Sequence, residues 1–110
     1  MLQGELYDVL TRARDAVEVR LHPESVLYAA HFPAYPITPG VVLVRMAVEL
    51  LSERQGRPLD VKAAKNIKFV SPVIPDGDDP RLLFQFNENT VSVLRDGVLC
   101  ATMTMTLEEV

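Results

Sequence analysis

HFPAYPITPGVVLVRMAVELL, residues 31–51, is a ladder of prolines that runs directly into an apolar helix. Pro33, Pro36 and Pro39 follow His31 at three-residue intervals. Each proline fixes its own φ and pushes the preceding residue out of the α region. The spacing therefore predicts a stiff, extended arm that ends at Gly40. From Val41 onward the apolar run is broken only by Arg45 and Glu49, the pattern of a helix buried on most sides. A histidine held by a rigid loop beside such a helix N-terminus marks a candidate site. The terminus presents unpaired N–H groups to a developing negative charge.

The helix is predicted over residues 41 to about 55, where Gly56 and then Pro58 stop it. About fifteen residues at 1.5 Å each give about 22 Å, enough to cross a small sheet. Arg45, Glu49 and Ser52 are spaced i, i+4, i+7 and share one narrow polar face.

Strand patterns lie on both sides. Residues 2–10 mix apolar and polar side chains and fit a first strand or a short helical turn. In residues 16–21, Val17, Val19 and Leu21 alternate with Glu18 and Arg20, the period of a half-buried strand. Residues 24–30 read as a loop or one helical turn that delivers the chain to His31. Beyond the helix, residues 61–70, 81–86, 90–94 and 98–107 read as strands, with a turn at 75–78 and a hairpin signal at Asp96-Gly97. In the last strand Ala101, Met103, Met105 and Leu107 share one face, and Cys100, Thr102, Thr104 and Thr106 the other. Two strands, a helix and four strands predict an α+β fold, an antiparallel sheet around one central helix.

Size and charge narrow the classes. The 110 residues suffice for one domain, 1–110, with a single core. A net charge of −4 without a Lys/Arg cluster argues against nucleic acid as a partner. One cysteine allows no internal disulfide and suits a reducing cytoplasm. MLQGELYDVL has neither the basic nor the apolar part of a signal peptide, and no apolar run is long enough to span a membrane. Two histidines and one cysteine, widely spaced, predict no metal site. Cys100 reads as a packed strand residue, and His22 as a surface residue before a proline.

The pattern HFPxxPxxPG, matched at His31, Phe32, Pro33, Pro36, Pro39 and Gly40 ahead of the apolar helix, resembles the signature of the hot-dog-fold 3-hydroxyacyl-acyl-carrier-protein dehydratases. KFVSPVIPDGD (68–78) is similar to that family's strand and following turn, and DGVLCATMTM (96–105) to its closing strand. The resemblance implies removal of water from a 3-hydroxyacyl thioester, carried by acyl carrier protein or coenzyme A, with no cofactor. It implies His31 as the base, the Gly40 N–H as a contact for the thioester carbonyl, and Phe32, Pro39 and Val41 along the substrate. It also implies a homodimer in which each site draws on both chains. The other reading of His31 is a structural histidine that packs the loop.

One position departs from the pattern. Five residues beyond the glycine these dehydratases carry a catalytic glutamate, and here that residue is Arg45. A guanidinium does not release its proton at physiological pH, so Arg45 cannot act as the acid. It can grip a carboxylate or phosphate of the ligand, or pair with Glu49 along the helix. Glu49, one turn further on, is the nearest carboxylate that can serve as a displaced acid. Two alternatives follow: a catalytically impaired subunit that binds thioesters or a partner dehydratase, and an acyl thioesterase. Lys62, Lys65 and Lys68, with Arg54 and Arg57, either form a docking patch for an acidic carrier or are a solvated face.

Overall fold

The computed structural model describes residues 1–31 and 37–110, without the side chain of His31. The elements run β1 (Tyr7–Arg12), β2 (Ala16–Leu21), α1 (Val26–His31), α2 (Gly40–Gln55), β3 (Leu59–Phe69), β4 (Arg81–Asn87), β5 (Thr90–Arg95) and β6 (Val98–Glu109). All six strands pair antiparallel in one sheet of order β1-β2-β4-β5-β6-β3. With α2 against its inner face this is the α+β, hot-dog arrangement expected from the sequence.

Alternation in the strands builds the inner face. Val17, Val19 and Leu21 of β2, Leu82, Phe84 and Phe86 of β4, and Val91 and Val93 of β5 are all buried. They meet Leu43, Met46, Ala47 and Leu50 of α2 in one continuous core. β6 follows the expected faces with one exception. Cys100 is buried together with Ala101, because a register shift between Val93 and Leu94 of β5 leaves an extra residue on β6 there. Burial pushes the Cys100 thiol above its ordinary value, which fits a packed side chain.

The punctuation acts as the residues dictate. Gly56 is left-handed (φ 67°), its N–H donating to Glu53 O and that of Arg57 to Ser52 O, which closes α2. Asp96 and Gly97 both take positive φ (51° and 79°), the type I′ geometry that joins β5 to β6.

Three expectations need correction. Residues 2–6 precede β1 as a turn, in which the Leu6 N–H donates to Leu2 O. Of the extended arm expected from His31 to Gly40, His31 is instead the last residue of the short helix α1, and residues 32–36 lie outside the described residues. His22 is not a simple surface residue, since its Nε2 lies 2.7 Å from Asp8 Oδ2 and its side chain is mostly covered.

The central helix is covered within the chain. Met46 to Leu50 are five consecutive buried residues, which one sheet face alone cannot achieve. The second cover is the N-terminal segment, whose Leu2, Leu6 and Tyr7 belong to or pack on the same core. The apolar surface left open lies elsewhere. Phe69 (54% exposed) ends the edge strand β3 and Val70 follows it, and Val98 and Leu99 open β6.

Candidate active site

α1 forms because Ser25 caps it: its Oγ accepts from the Leu27 N–H at 3.2 Å. The helix lasts six residues and ends on His31. The His31 side chain and Phe32, both expected at the site, lie outside the described residues.

From Ile37 the chain passes at once into a short bridge. The Thr38 N–H donates to Val73 O at 2.8 Å, which ties the end of the proline ladder to the 71–76 loop. Pro39, extended at φ −60° and ψ 150°, then precedes α2. Among the described residues no side chain caps this helix, and its first turn contains no acidic residue. The N–H groups at Gly40 and Val41 therefore keep the positive end of the helix dipole uncompensated. The Phe69 ring lies directly against Gly40, where a Cβ would fall 2.4 Å from Phe69 Cζ. Only glycine lets that ring sit there without moving.

Beside the terminus is an apolar cavity of about 100 Å3 lined by Leu2, Leu6, Leu27, Tyr28, Ile37, Pro39 and Val42. Pro39 thus borders it, whereas Val41 points into solvent at 74% exposure. Arg45 does not share this cavity. Half exposed, it borders a separate open cleft of about 460 Å3 with Glu53 and Arg57.

Glu49 is 4% exposed and fully engaged. Its Oε2 accepts from the Leu2 N–H at 2.8 Å, and its Oε1 from the Gln3 N–H at 3.1 Å and the Tyr7 hydroxyl at 3.0 Å. Arg45 Nε is 3.8 Å from Oε2, so the i, i+4 pair exists but is long. Burial, the negative carboxylate and the bond to it push the Tyr7 phenol far above its ordinary value. Nothing in the spacing of the sequence pointed to Tyr7 or to the backbone donors, which meet Glu49 from more than forty residues away.

A second hydroxyl network was equally invisible in the sequence. The Tyr28 hydroxyl and Thr38 Oγ1 are 2.8 Å apart and both residues are buried. Behind Thr38, Arg95 donates to Ile74 O and to Asp76 O, and pairs with the Asp76 carboxylate at 2.7 Å.

The remaining basic residues separate. Lys62, Lys65 and Lys68 are exposed along β3. Arg54 instead reaches Ala13 O and Arg14 O and stacks 4.8 Å from the Phe86 ring, while Arg57 bonds Gln55. Among the described residues no cluster of His, Cys, Asp and Glu is arranged to hold a metal, and no helix is long and apolar enough to cross a membrane.

A family model described as ApeI dehydratase matches residues 10–99. No curated protein matches the chain. Among solved structures, the dehydratase heterocomplex ApeI:P from Xenorhabdus doucetiae is similar at a TM-score of 0.68 and 18% identity, over 96% of this chain and 98% of that one. An uncharacterized protein from Erwinia carotovora subsp. atroseptica is similar at a TM-score of 0.62 and 20% identity, again over 96% and 98%.

Proposed function

The chain belongs to the ApeI-like dehydratase family, and on that premise we propose that it removes water from a 3-hydroxyacyl thioester carried by acyl carrier protein or coenzyme A. The observation that carries the proposal is the uncapped α2 terminus at Gly40, reached by the chain that leaves α1 at His31 and bordered by an apolar cavity.

The chemistry follows from those parts. His31 accepts the α-proton, which the thioester acidifies, and the electron pair moves onto the thioester oxygen. The Gly40 N–H, at the positive end of α2, stabilises that oxyanion. Collapse of the enolate forms the C2–C3 double bond and breaks the C3–O bond. The departing hydroxyl takes a proton from the imidazolium, so His31 is restored and the products are a 2-enoyl thioester and water. The apolar cavity beside Pro39 accommodates hydrocarbon of the acyl chain. The Arg45 guanidinium, outside the cavity, serves an anionic group of the carrier.

Glu49 is assigned to anchoring rather than to proton donation. An acid needs a proton on a carboxyl oxygen, and both of its oxygens already accept hydrogen bonds from N–H or O–H groups. That engagement also favours a second reading, a subunit that binds thioesters or a partner dehydratase without turnover. The similar structure from Xenorhabdus is a heterocomplex, which supports an assembled form. We assign the assembly to a homodimer joined near Phe69 and Val70 at the end of β3 and Val98 and Leu99 at the start of β6, apolar side chains left open there. The setting is the cytoplasm.

The test is hydration of a short 2-enoyl carrier-protein thioester, and the reverse dehydration, by wild type, His31→Ala, Arg45→Glu and Glu49→Gln. Wild-type turnover that is lost in His31→Ala supports the enzyme. Absence of wild-type turnover with activity gained in Arg45→Glu establishes the binding subunit instead.

A further inference from the structure

We propose that Tyr28 and Thr38 are a positioning pair: their hydroxyl–hydroxyl bond locks the end of α1, which carries His31, to the start of α2, which carries the Gly40 amide. The inference rests on the dehydration proposed above and gives a part in it to the hydroxyls of two buried residues.

The two partners sit at either end of the motif. Tyr28 precedes His31 by three residues, less than one turn of α1, and Thr38 precedes Gly40 by two. Their 2.8 Å bond therefore closes the intervening chain into a ring of ten residues' separation. Both residues are only 4% exposed, so no water competes for the bond. Proton abstraction at C2 and stabilisation at the thioester oxygen involve neighbouring atoms of one substrate. The base and the amide must accordingly hold a fixed separation, and a ring closed by a short bond provides it.

The ring is itself fastened to the sheet. The Thr38 N–H is held by Val73 O, and the loop that carries Val73 is gripped on its far side by Arg95 of β5. Burial raises the Tyr28 phenol above its ordinary value while Thr38 and Arg95 oppose the shift. The group thus stays protonated and acts as a hydrogen-bonding hydroxyl. Stability alone does not require this pair, since two apolar side chains of the same shape fill such a space at nearly neutral cost. What the hydroxyls add is direction.

The experiment compares wild type with Tyr28→Phe, Thr38→Val and the double variant, by steady-state kinetics, thermal unfolding and amide exchange over residues 27–31 and 37–43. Each single change is expected to lower kcat roughly tenfold with KM nearly unchanged, because only the transition state needs the fixed separation. The double variant loses no more than either single one, because one bond is broken in all three. It also unfolds near the wild-type temperature, and exchange quickens in the two named stretches. Wild-type kcat in Tyr28→Phe, multiplicative losses in the double variant, or a change confined to KM overturns the pair's role. Absence of turnover in wild type refutes the dehydration itself. Exchange then decides the lock alone: faster exchange upholds it and unchanged exchange overturns it.

Discussion

Glu49→Gln separates anchoring from acid catalysis, and its cost can be worked from the geometry. The glutamine best keeps its carbonyl at the Oε1 position, where it still accepts from the Gln3 N–H and the Tyr7 hydroxyl. Its amide nitrogen then faces the Leu2 N–H, which in the native protein donates to Oε2 at 2.8 Å. Two donors meet and one partly buried N–H loses its acceptor. Hydrogen bonds to charged groups contribute roughly 1.5–3 kcal/mol, so the substitution is expected to cost about 2 kcal/mol. For a chain of this size that lowers Tm by about 10 °C. Glu49→Ala removes all three bonds and leaves the Tyr7 hydroxyl buried without its partner, which raises the cost to roughly 3–4 kcal/mol. In a Tyr7→Phe background the effect of Glu49→Ala shrinks, since that change breaks the one bond the two residues share. The effect of Glu49→Gln, which keeps that bond, stays about the same. Urea unfolding of wild type and these variants measures these terms, and the hydration assay runs on the same samples. Unchanged stability in Glu49→Gln together with lost turnover would refute anchoring and make Glu49 the acid.

Three further outcomes follow from the same structure. The Tyr7 phenol holds its proton more tightly folded than unfolded, where its value is about 10. Its contribution is therefore complete below pH 10 and declines above it by up to about 1.4 kcal/mol per pH unit. Denaturant titrations between pH 9 and 11.5 should show a shallower decline in Tyr7→Phe; identical slopes would remove Tyr7 from the account. Gly40→Ala must displace the Phe69 ring, so it is expected to lower both kcat and Tm, with the stability loss relieved in Phe69→Ala/Gly40→Ala; equal losses in both backgrounds would place the clash elsewhere. Phe69→Ser combined with Val98→Ser removes exposed apolar surface at the end of β3 and the start of β6 and should shift a sedimenting dimer to monomer, an expectation that a wild-type monomer would already contradict.

Much of the fold was legible because its signals are local. Val17, Val19 and Leu21 reveal a strand by their period, and Asp96-Gly97 reveal a hairpin by the positive φ that both adopt. Other turns carried no such mark. Glu88, for example, takes φ 55° between β4 and β5 without a glycine. The motif residues Pro39 and Gly40 announced a site, but the hydroxyls of Thr38 and of Tyr28 ten residues upstream did not, since a tyrosine on a short helix reads as ordinary core.

Local chemistry, then, is what the amino-acid sequence determined unaided: an apolar run makes the central helix, and alternation makes a sheet to cover it. Partnership across distance was decided only by the tertiary structure. By spacing alone Glu49 belongs to a polar stripe with Arg45 and Ser52. In the folded chain it is buried beneath residues 2–7, with backbone donors and a phenol on its oxygens. A carboxylate taken from water must find hydrogen-bonding partners wherever the chain brings them. No periodicity encodes which distant residues those will be.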